Sequence, residues 1–299
     1  MERNMSTYDL TFLGHLCFDE IRPFQGETKV APGSAVLCGT MVAARIGKKV
    51  AVVTKLAPED EDILVPIQEL GVDTYPIAAA ETTYSVVIHP TADIDERRLI
   101  LKKNAGLFKL EEIPNLQTQY LHLAGISDQE FNLELIYGLK ERGYKLSVDL
   151  QSFVRQVDPV SREIAFKDFP QKQAIVKQMN KVKLDIVEAK VLTGTTDLEK
   201  AALILEKWGS PETVITHSEG VLARVGGRTY YEKFSNRSVV GRTGRGDTTF
   251  AAYLSWRMEH DVAEALKFAA ALVSIKMETP GPFQGTLGDV YNRIREYHL

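Results

Sequence analysis

The chain has 299 residues, with 36 basic and 40 acidic side chains, a net charge of -4 and 44% apolar residues. That balance gives no electrostatic ground for a nucleic acid or an anionic membrane as partner, and the composition is that of a globular protein with a sizeable core. The length admits one α/β domain or two smaller ones. Cys17 and Cys38 are too few for a disulfide framework or a thiolate metal site, so both read as small buried hydrophobes. The first nine residues lack the apolar run of a secretory signal, and no apolar stretch is long enough to span a bilayer. A reducing cytoplasm is the expected location.

In chain order, Leu10–Leu13 ends at Gly14 and reads as a buried strand. A helix from Ser34 to Ile46 is capped by Ser34 and closed by Gly47. Val50–Val53 is a second strand, and Pro58–Leu70 a helix with acidic residues at its start. Thr82–His89 and Arg97–Leu101 are β-rich around the polar turn Pro90–Glu96, which predicts an antiparallel hairpin outside the main sheet. Strands at Tyr120–Ala124, Lys145–Asp149, Leu184–Val187 and Thr213–Thr216 then alternate with helices at Asp128–Arg142, Gln171–Asn180 and Asp197–Trp208. Val221–Val225 and Arg228–Glu232 form a hairpin around Gly226-Gly227, and helices at Asp247–Met258 and Val262–Met277 follow. Strands alternating with helices imply a parallel sheet covered on both faces. No repeat or linker is visible, so residues 1–299 read as one domain with a small β lid from about 15–32 and 82–104.

The strongest chemical signal is Gly241-Arg-Thr-Gly-Arg-Gly-Asp247, which opens an apolar helix. Gly244 and Gly246 let the backbone turn sharply with its amides outward, and those amides plus the helix N-terminus make an anion site. Asp247 is out of place there unless it accepts a proton from a hydroxyl attacking a phosphoryl group; otherwise it is simply the helix N-cap. The stripe Leu266, Ala269, Ala270, Val273 and Met277 has helical spacing and belongs to the core. His15 and His122 lie at or near strands and read as structural, and His217 as a hydrogen-bonded or nucleotide-adjacent side chain.

With these residues in view, the segment resembles the C-terminal motif of the PfkB/ribokinase carbohydrate kinases, matching at Gly244, Gly246, Asp247 and Thr248. Further similarities follow in the family's order: Gly14–Asp19, Pro32-Gly33-Ser34 leading to Met41–Gly47, Glu69–Thr74, Tyr120–Gly125, and Asp185–Glu188 followed by Leu192–Gly194. The resemblance implies a three-layer α/β/α ribokinase-like fold with a mostly parallel sheet and a β lid. It implies an ATP-dependent phosphotransferase acting on a sugar, polyol or nucleoside. Asp247 would be the base, and the backbone of Gly244, Arg245 and Gly246 the anion hole. Asp19, Gly33 and Ser34 would bind the acceptor. Glu188, with Asp185, would organise Mg²⁺ and its waters, while Thr216, Ser218 and Gly220 fall where the family touches the nucleotide. Lid strands in this family often pair between subunits, so a homodimer is implied.

The chain departs from the family pattern at informative places. Gly241 replaces the usual aspartate before the motif, and the loop there helps many relatives hold a monovalent cation, so that ion is in question. Arg242 and Arg245 either clamp phosphates or a charged acceptor, or point to solvent. Gly33-Ser34 replaces a double glycine and Cys38 an asparagine. Ser147–Arg155 is more similar to the inositol-kinase-like and nucleoside-kinase-like members, which puts Asp149, Gln151 and Arg155 at the mouth of the site and makes an inositol or other polyol the expected acceptor. The rivals are a nucleoside kinase and a ligand-binding protein of the same fold without turnover.

Overall fold

A computed structural model describes residues 7–92 and 96–297. It shows a nine-stranded sheet whose strands run, from one edge to the other, Arg228–Lys233, Gly220–Val225, Glu212–Thr216, Lys181–Asp185, Leu146–Asp149, Gln117–Leu123, Thr7–Leu13, Val50–Leu56 and Asp73–Ala78. The last seven pair in parallel, and the Gly226-Gly227 hairpin closes one edge with antiparallel pairing. Helices cover both faces. Leu10 and Phe12 face a core shared with the helices Ala35–Arg45, Arg245–Trp256 and Val262–Met277. Leu13 faces the other core, with the helices Leu133–Glu141, Lys172–Gln178, Ile186–Thr193 and Leu198–Lys207. Burial on both sides explains why these strands are continuous apolar runs.

The hairpin Thr83–Ile88 and Arg98–Lys103 does lie outside the main sheet. It belongs to a second sheet of four strands, in which Thr83–Ile88 runs parallel to Cys17–Arg22 and the latter pairs antiparallel with Lys29–Gly33. Of the expected turn Pro90–Glu96, residues 93–95 lie outside the described residues, as do residues 1–6 of the N-terminal reading.

Three expected elements are corrected. Pro58–Leu70 is not one α-helix but a 3-10 turn, Pro58–Leu64, followed by the short helix Val65–Gln68. Pro66 lacks the N–H and clashes with a preceding carbonyl, so it restarts the helix rather than continuing it. The helix predicted from Asp128 begins at Leu133 with Asn132 as its cap, because the segment before it folds around Glu130. The predicted strand Leu184–Val187 is Lys181–Asp185, with a helix starting at Ile186. The edge strand Asp73–Ala78, the small hairpin Arg155–Val157 and Ile164–Phe166, and the helix Leu287–Tyr297 went unread.

Glu130 is fully buried where the two sheets meet. Its carboxylate accepts backbone N–H groups of His15 at 2.9 Å, Ile126 at 2.5 Å and Ser127 at 3.3 Å. The His15 ring beside it bonds Gly106 O at 2.9 Å and Thr83 Oγ1 at 2.8 Å, and burial holds it neutral, with a pKa lowered to about 3. Burial pushes the Glu130 carboxyl up to about 7, against the pull of its three amide donors. A carboxyl whose folded pKa lies above its unfolded one costs stability as pH rises between the two. The stability advantage of the wild type over Glu130→Gln should therefore shrink from pH 5 to 8, by up to about 3 kcal/mol, in paired thermal melts.

Candidate functional site

The parallel strands end along one edge of the sheet, where open α/β sheets bind ligands. Gln151 and Arg155, Glu188, and Ser218 each follow the C-terminal end of a strand there. The glycine turn meets them from above. Gly244 adopts the left-handed conformation, φ +79°, and is the N-cap of the helix Arg245–Trp256; a Cβ there would sit 2.7 Å from Cys38 Sγ. Gly246 has no room either, since a Cβ would lie 2.9 Å from Lys183 Nζ. Asp247 is in the first turn and is not the cap. The Arg245 N–H is turned back to the Arg242 carbonyl at 3.1 Å, and the first helical bond runs from Thr248 N–H to Gly244 O at 2.9 Å. Of the three amides expected to meet an anion, that of Arg245 is engaged, which leaves those of Gly244 and Gly246, with that of Asp247 beside them.

Beneath the turn, Lys183 Nζ donates to Asp149 Oδ2 at 2.7 Å, and both side chains are buried. Burial pushes Asp149 up to about 6, with the Lys183 ammonium pulling it back. Burial would lower Lys183, but Asp149, Glu188, Asp247 and Asp185 outweigh it and hold the ammonium above the ordinary lysine range. Asp185 caps the next helix: its Oδ1 accepts from the Val187 and Glu188 amides at 2.8 Å each, while Glu188 Oε2 accepts from the Asp185 N–H at 2.8 Å. Glu188 is not part of an exposed helix start but 0% exposed, and burial followed by the Asp185 charge pushes its carboxyl up to about 8. Its Oε1 has no hydrogen-bond partner, and Arg155 Nη2 stands 3.9 Å away. Thr216 Oγ1, Thr248 Oγ1 and Arg155 Nε are also buried and unpartnered. Orphaned polar atoms gathered around one turn mark a place completed by something other than protein. A hard oxygen ligand with a free lone pair fits Mg²⁺. Among the described residues no group of three or more such ligands forms, so the ion would be held mainly by phosphate oxygens and water.

On the acceptor side, Asp19 Oδ1 accepts from the Ser85 hydroxyl and from Cys17 Sγ at 3.3 Å. A Cβ on Gly33 would lie 1.9 Å from Asp19 Oδ2, which is why that position is glycine. Burial raises Asp19, while Arg155 is near enough to pull it down and Asp247 near enough to push it up. Arg155 thus stands between Asp19 and Glu188. Ser34 caps its helix, accepting from Leu37 N–H at 3.2 Å, with φ 111° and ψ 164°. Only glycine is at ease there, so Ser34 carries a strain of roughly 1–3 kcal/mol. Gln151 is buried, and its amide donates to Gly125 O at 2.9 Å, so it fixes the strand end and offers at most its carbonyl to a ligand.

The nucleotide trio is split. Thr216 Oγ1 lies 3.6 Å from the Cβ position of Gly246, whereas Ser218 faces solvent and Gly220 packs under Tyr231, whose hydroxyl would be 2.6 Å from a Cβ there. His217 bonds the Tyr231 hydroxyl at 3.0 Å, and His122 bonds Ser147 at 3.1 Å inside the core.

Arg242 and Arg245 are joined by Arg97, which directly precedes the strand Arg98–Lys103 of the second sheet. Burial and then the Arg242 charge push Arg245 down to about 10, with Asp185 opposing and Arg97 adding to the shift. Arg97 keeps solvent access on one side, yet burial on the other and the Arg155 charge lower it too. Arg97 and Arg242 line opposite sides of a groove of about 480 Å³ that runs between the second sheet and Gly241–Thr243. Lys183, Arg97 and Lys276 were missed from sequence. Only Lys183 left a signal: a lysine in step with apolar neighbours in a strand buried on both faces. Lys183→Met strands the Asp149 charge and should cost about 3–5 kcal/mol by chemical denaturation; adding Asp149→Asn should recover a large part of it.

The profile of the pfkB family carbohydrate kinases matches residues 6–286. The cytidine kinase of Thermococcus kodakarensis is 27% identical over 258 residues, covering 83% of this chain and 87% of that protein. A pyrophosphate-dependent kinase in the ribokinase family, solved as a sulfate complex, superposes with a TM-score of 0.87 at 31% identity, covering 92% of this chain and 97% of its own. A pyrophosphate-dependent kinase of that family complexed with a pyrophosphate analog and myo-inositol superposes at 0.86 with 30% identity, covering 95% and 99%. Sequence motifs, architecture and these likenesses agree: the chain belongs to the pfkB family of carbohydrate kinases.

Proposed function

We propose that this chain transfers a phosphoryl group to a hydroxyl of a small polyol, an inositol in the first instance, with Asp247 as general base. The observation that carries the reading is the position of Asp247. It stands in the first turn of a helix whose leading amides are open, is not used as a cap, and reaches Asp19 on one side and Lys183 on the other with its charge. An acceptor hydroxyl held by Asp19 and Arg155 would donate its proton to Asp247 as its oxygen attacks phosphorus. The new O–P bond forms as the bond to the leaving phosphate breaks, and the Gly244 and Gly246 amides, with that of Asp247 beside them, stabilise the charge on the transferring group. Lys183 stands below Asp247 as a fixed positive charge. Glu188 and Asp185 would hold Mg²⁺ and its waters, which neutralise the phosphate oxygens. The four-stranded sheet acts as the lid that excludes water. Its edge strand Lys29–Gly33, exposed over its first four residues, is where a second copy would pair.

For the donor, pyrophosphate is the reading that Arg97, Arg242 and Arg245 support. Three guanidinium groups from two segments of the chain suit a donor made wholly of phosphate. The two solved relatives described above are pyrophosphate-dependent, and Gly220 is covered by Tyr231 where a nucleotide contact was expected. ATP, the donor expected from sequence, and cytidine, the acceptor of the curated relative, are the alternatives.

One assay separates these readings. Formation of the phosphorylated acceptor is followed with Mg-pyrophosphate or Mg-ATP as donor, against myo-inositol, ribose and cytidine as acceptors, beside Asp247→Asn. The expected result is inositol-dependent turnover with pyrophosphate that falls by about 10²–10⁴-fold in the variant. Turnover with cytidine or ATP would replace the acceptor or the donor assigned here. Ligand binding without turnover for any pair would favour the non-catalytic protein.

A further inference from the structure

The loop that shapes the anion hole rests on a second buried ammonium. Lys276, in the last turn of the helix Val262–Met277, is 1% exposed. Its Nζ donates to the carbonyl oxygens of Gly241 and Thr243, two alternate carbonyls of the stretch that turns into Gly244. The helix end grips the same stretch by its backbone: Gly241 N–H donates to Met277 O at 2.8 Å, and a Cβ on Gly241 would fall 1.8 Å from Thr279 O. Nζ lies 3.9 Å from the Cβ position of Gly244. Among the described residues no carboxylate forms an ion pair with Lys276; the Asp247 charge acts on it without a contact, and burial holds the nearby Cys38 thiol protonated. Burying an ammonium against carbonyl dipoles alone is costly, so a merely space-filling residue at this position would be apolar.

Converging backbone carbonyls are the usual lining of a monovalent-cation site, and this loop is where many relatives hold such an ion. Here the residues do not fit one. The aspartate expected before the motif is Gly241, which has no room for a side chain, and the carbonyls already receive a covalently attached cation. We infer that Lys276 is a built-in monovalent cation, a positioning residue that fixes the Gly241–Gly244 loop and frees the chain from potassium. This rests on the reading of Gly244–Asp247 as the anion hole.

The test compares the wild type with Lys276→Ala, which opens a cavity, and Lys276→Met, which fills it without charge. Each is studied in tetramethylammonium, potassium and methylammonium chloride at equal ionic strength. Two readouts are used: phosphoryl transfer and thermal unfolding. Wild-type rate and melting temperature should be the same in all three salts. Lys276→Ala should lose about 100-fold in kcat in tetramethylammonium and regain at least about tenfold in potassium or methylammonium. Its melting temperature should rise in the same two salts, and Lys276→Met should respond to neither. Stimulation of the wild type by potassium, or a Lys276→Met variant with full activity, would overturn the inference. The melting comparison needs no turnover, so it still decides the ion question if the chain proves not to be a kinase. Should Lys276→Ala fail to fold, the wild-type ion series and Lys276→Gln decide it: potassium independence in the first and a lost rate in the second are expected, and the reverse of either sinks the idea.

Discussion

The site is organised around the buried ion pair of Lys183 with Asp149. An ammonium at the base of a parallel sheet is out of reach of bulk water, so its charge must be met by protein. Asp149 meets it directly, and Glu188, Asp185 and Asp247 surround it more loosely. Burial alone would neutralise Glu188 and Asp149, and in both it is Lys183 that pulls back. One lysine thus supplies the positive charge around which these carboxylates gather.

The glycine turn is held between two ammonium groups. Lys183 presses against Gly246 from the sheet side, and Lys276 holds the carbonyls of Gly241 and Thr243 from the helix side. Lys276 engages the Thr243 carbonyl oxygen, which orients the paired Gly244 amide away from it, at the start of the helix. With the positive end of the helix macrodipole added, the turn becomes a rigid concentration of positive potential. Rigidity matters here because electrostatic stabilisation of a transferring phosphoryl group works only if the dipoles need not reorient during the reaction.

Much of this was legible in the sequence, for definite reasons. Alternating apolar runs and capped helices implied the three layers, because Leu10, Phe12 and Leu13 can be apolar together only in a strand covered on both faces. The glycine turn was readable because Gly244 needs a positive φ and Gly246 a missing side chain, and both leave glycine in the chain. What stayed hidden was set by tertiary distance. Nothing near Lys276 in sequence says that its ammonium lies on carbonyls 35 and 33 residues earlier. Arg97 reads as one half of a surface Arg-Arg pair until the second sheet folds over the strand ends. The edge strand Asp73–Ala78 contains Pro76, which argues against a strand unless the segment lies at an edge, and that is known only once the sheet order is known. Pro66 was the opposite case, a local signal strong enough to have split the Pro58–Leu70 helix had it been weighed.

The arginines connect this geometry to closure. Arg242 lies in the glycine turn and Arg245 opens the helix after it, whereas Arg97 directly precedes the strand Arg98–Lys103 of the second sheet, so their approach depends on how that sheet sits over the strand ends. Arg97 adds to the lowering of the Arg245 proton affinity, behind burial and the Arg242 charge, so bringing it beside Arg245 is unfavourable. An anion between them reverses the sign of that interaction. A polyanionic donor would then do two things with the same contacts: screen the repulsion among the guanidinium groups and draw the second sheet down over the acceptor held at Asp19. An uncharged acceptor alone would supply no such force, because hydroxyls carry no net charge to set against the guanidinium groups. Closure would thus follow the charge of the donor, and water would be excluded when the reactive phosphate is in place, the point at which hydrolysis would otherwise compete.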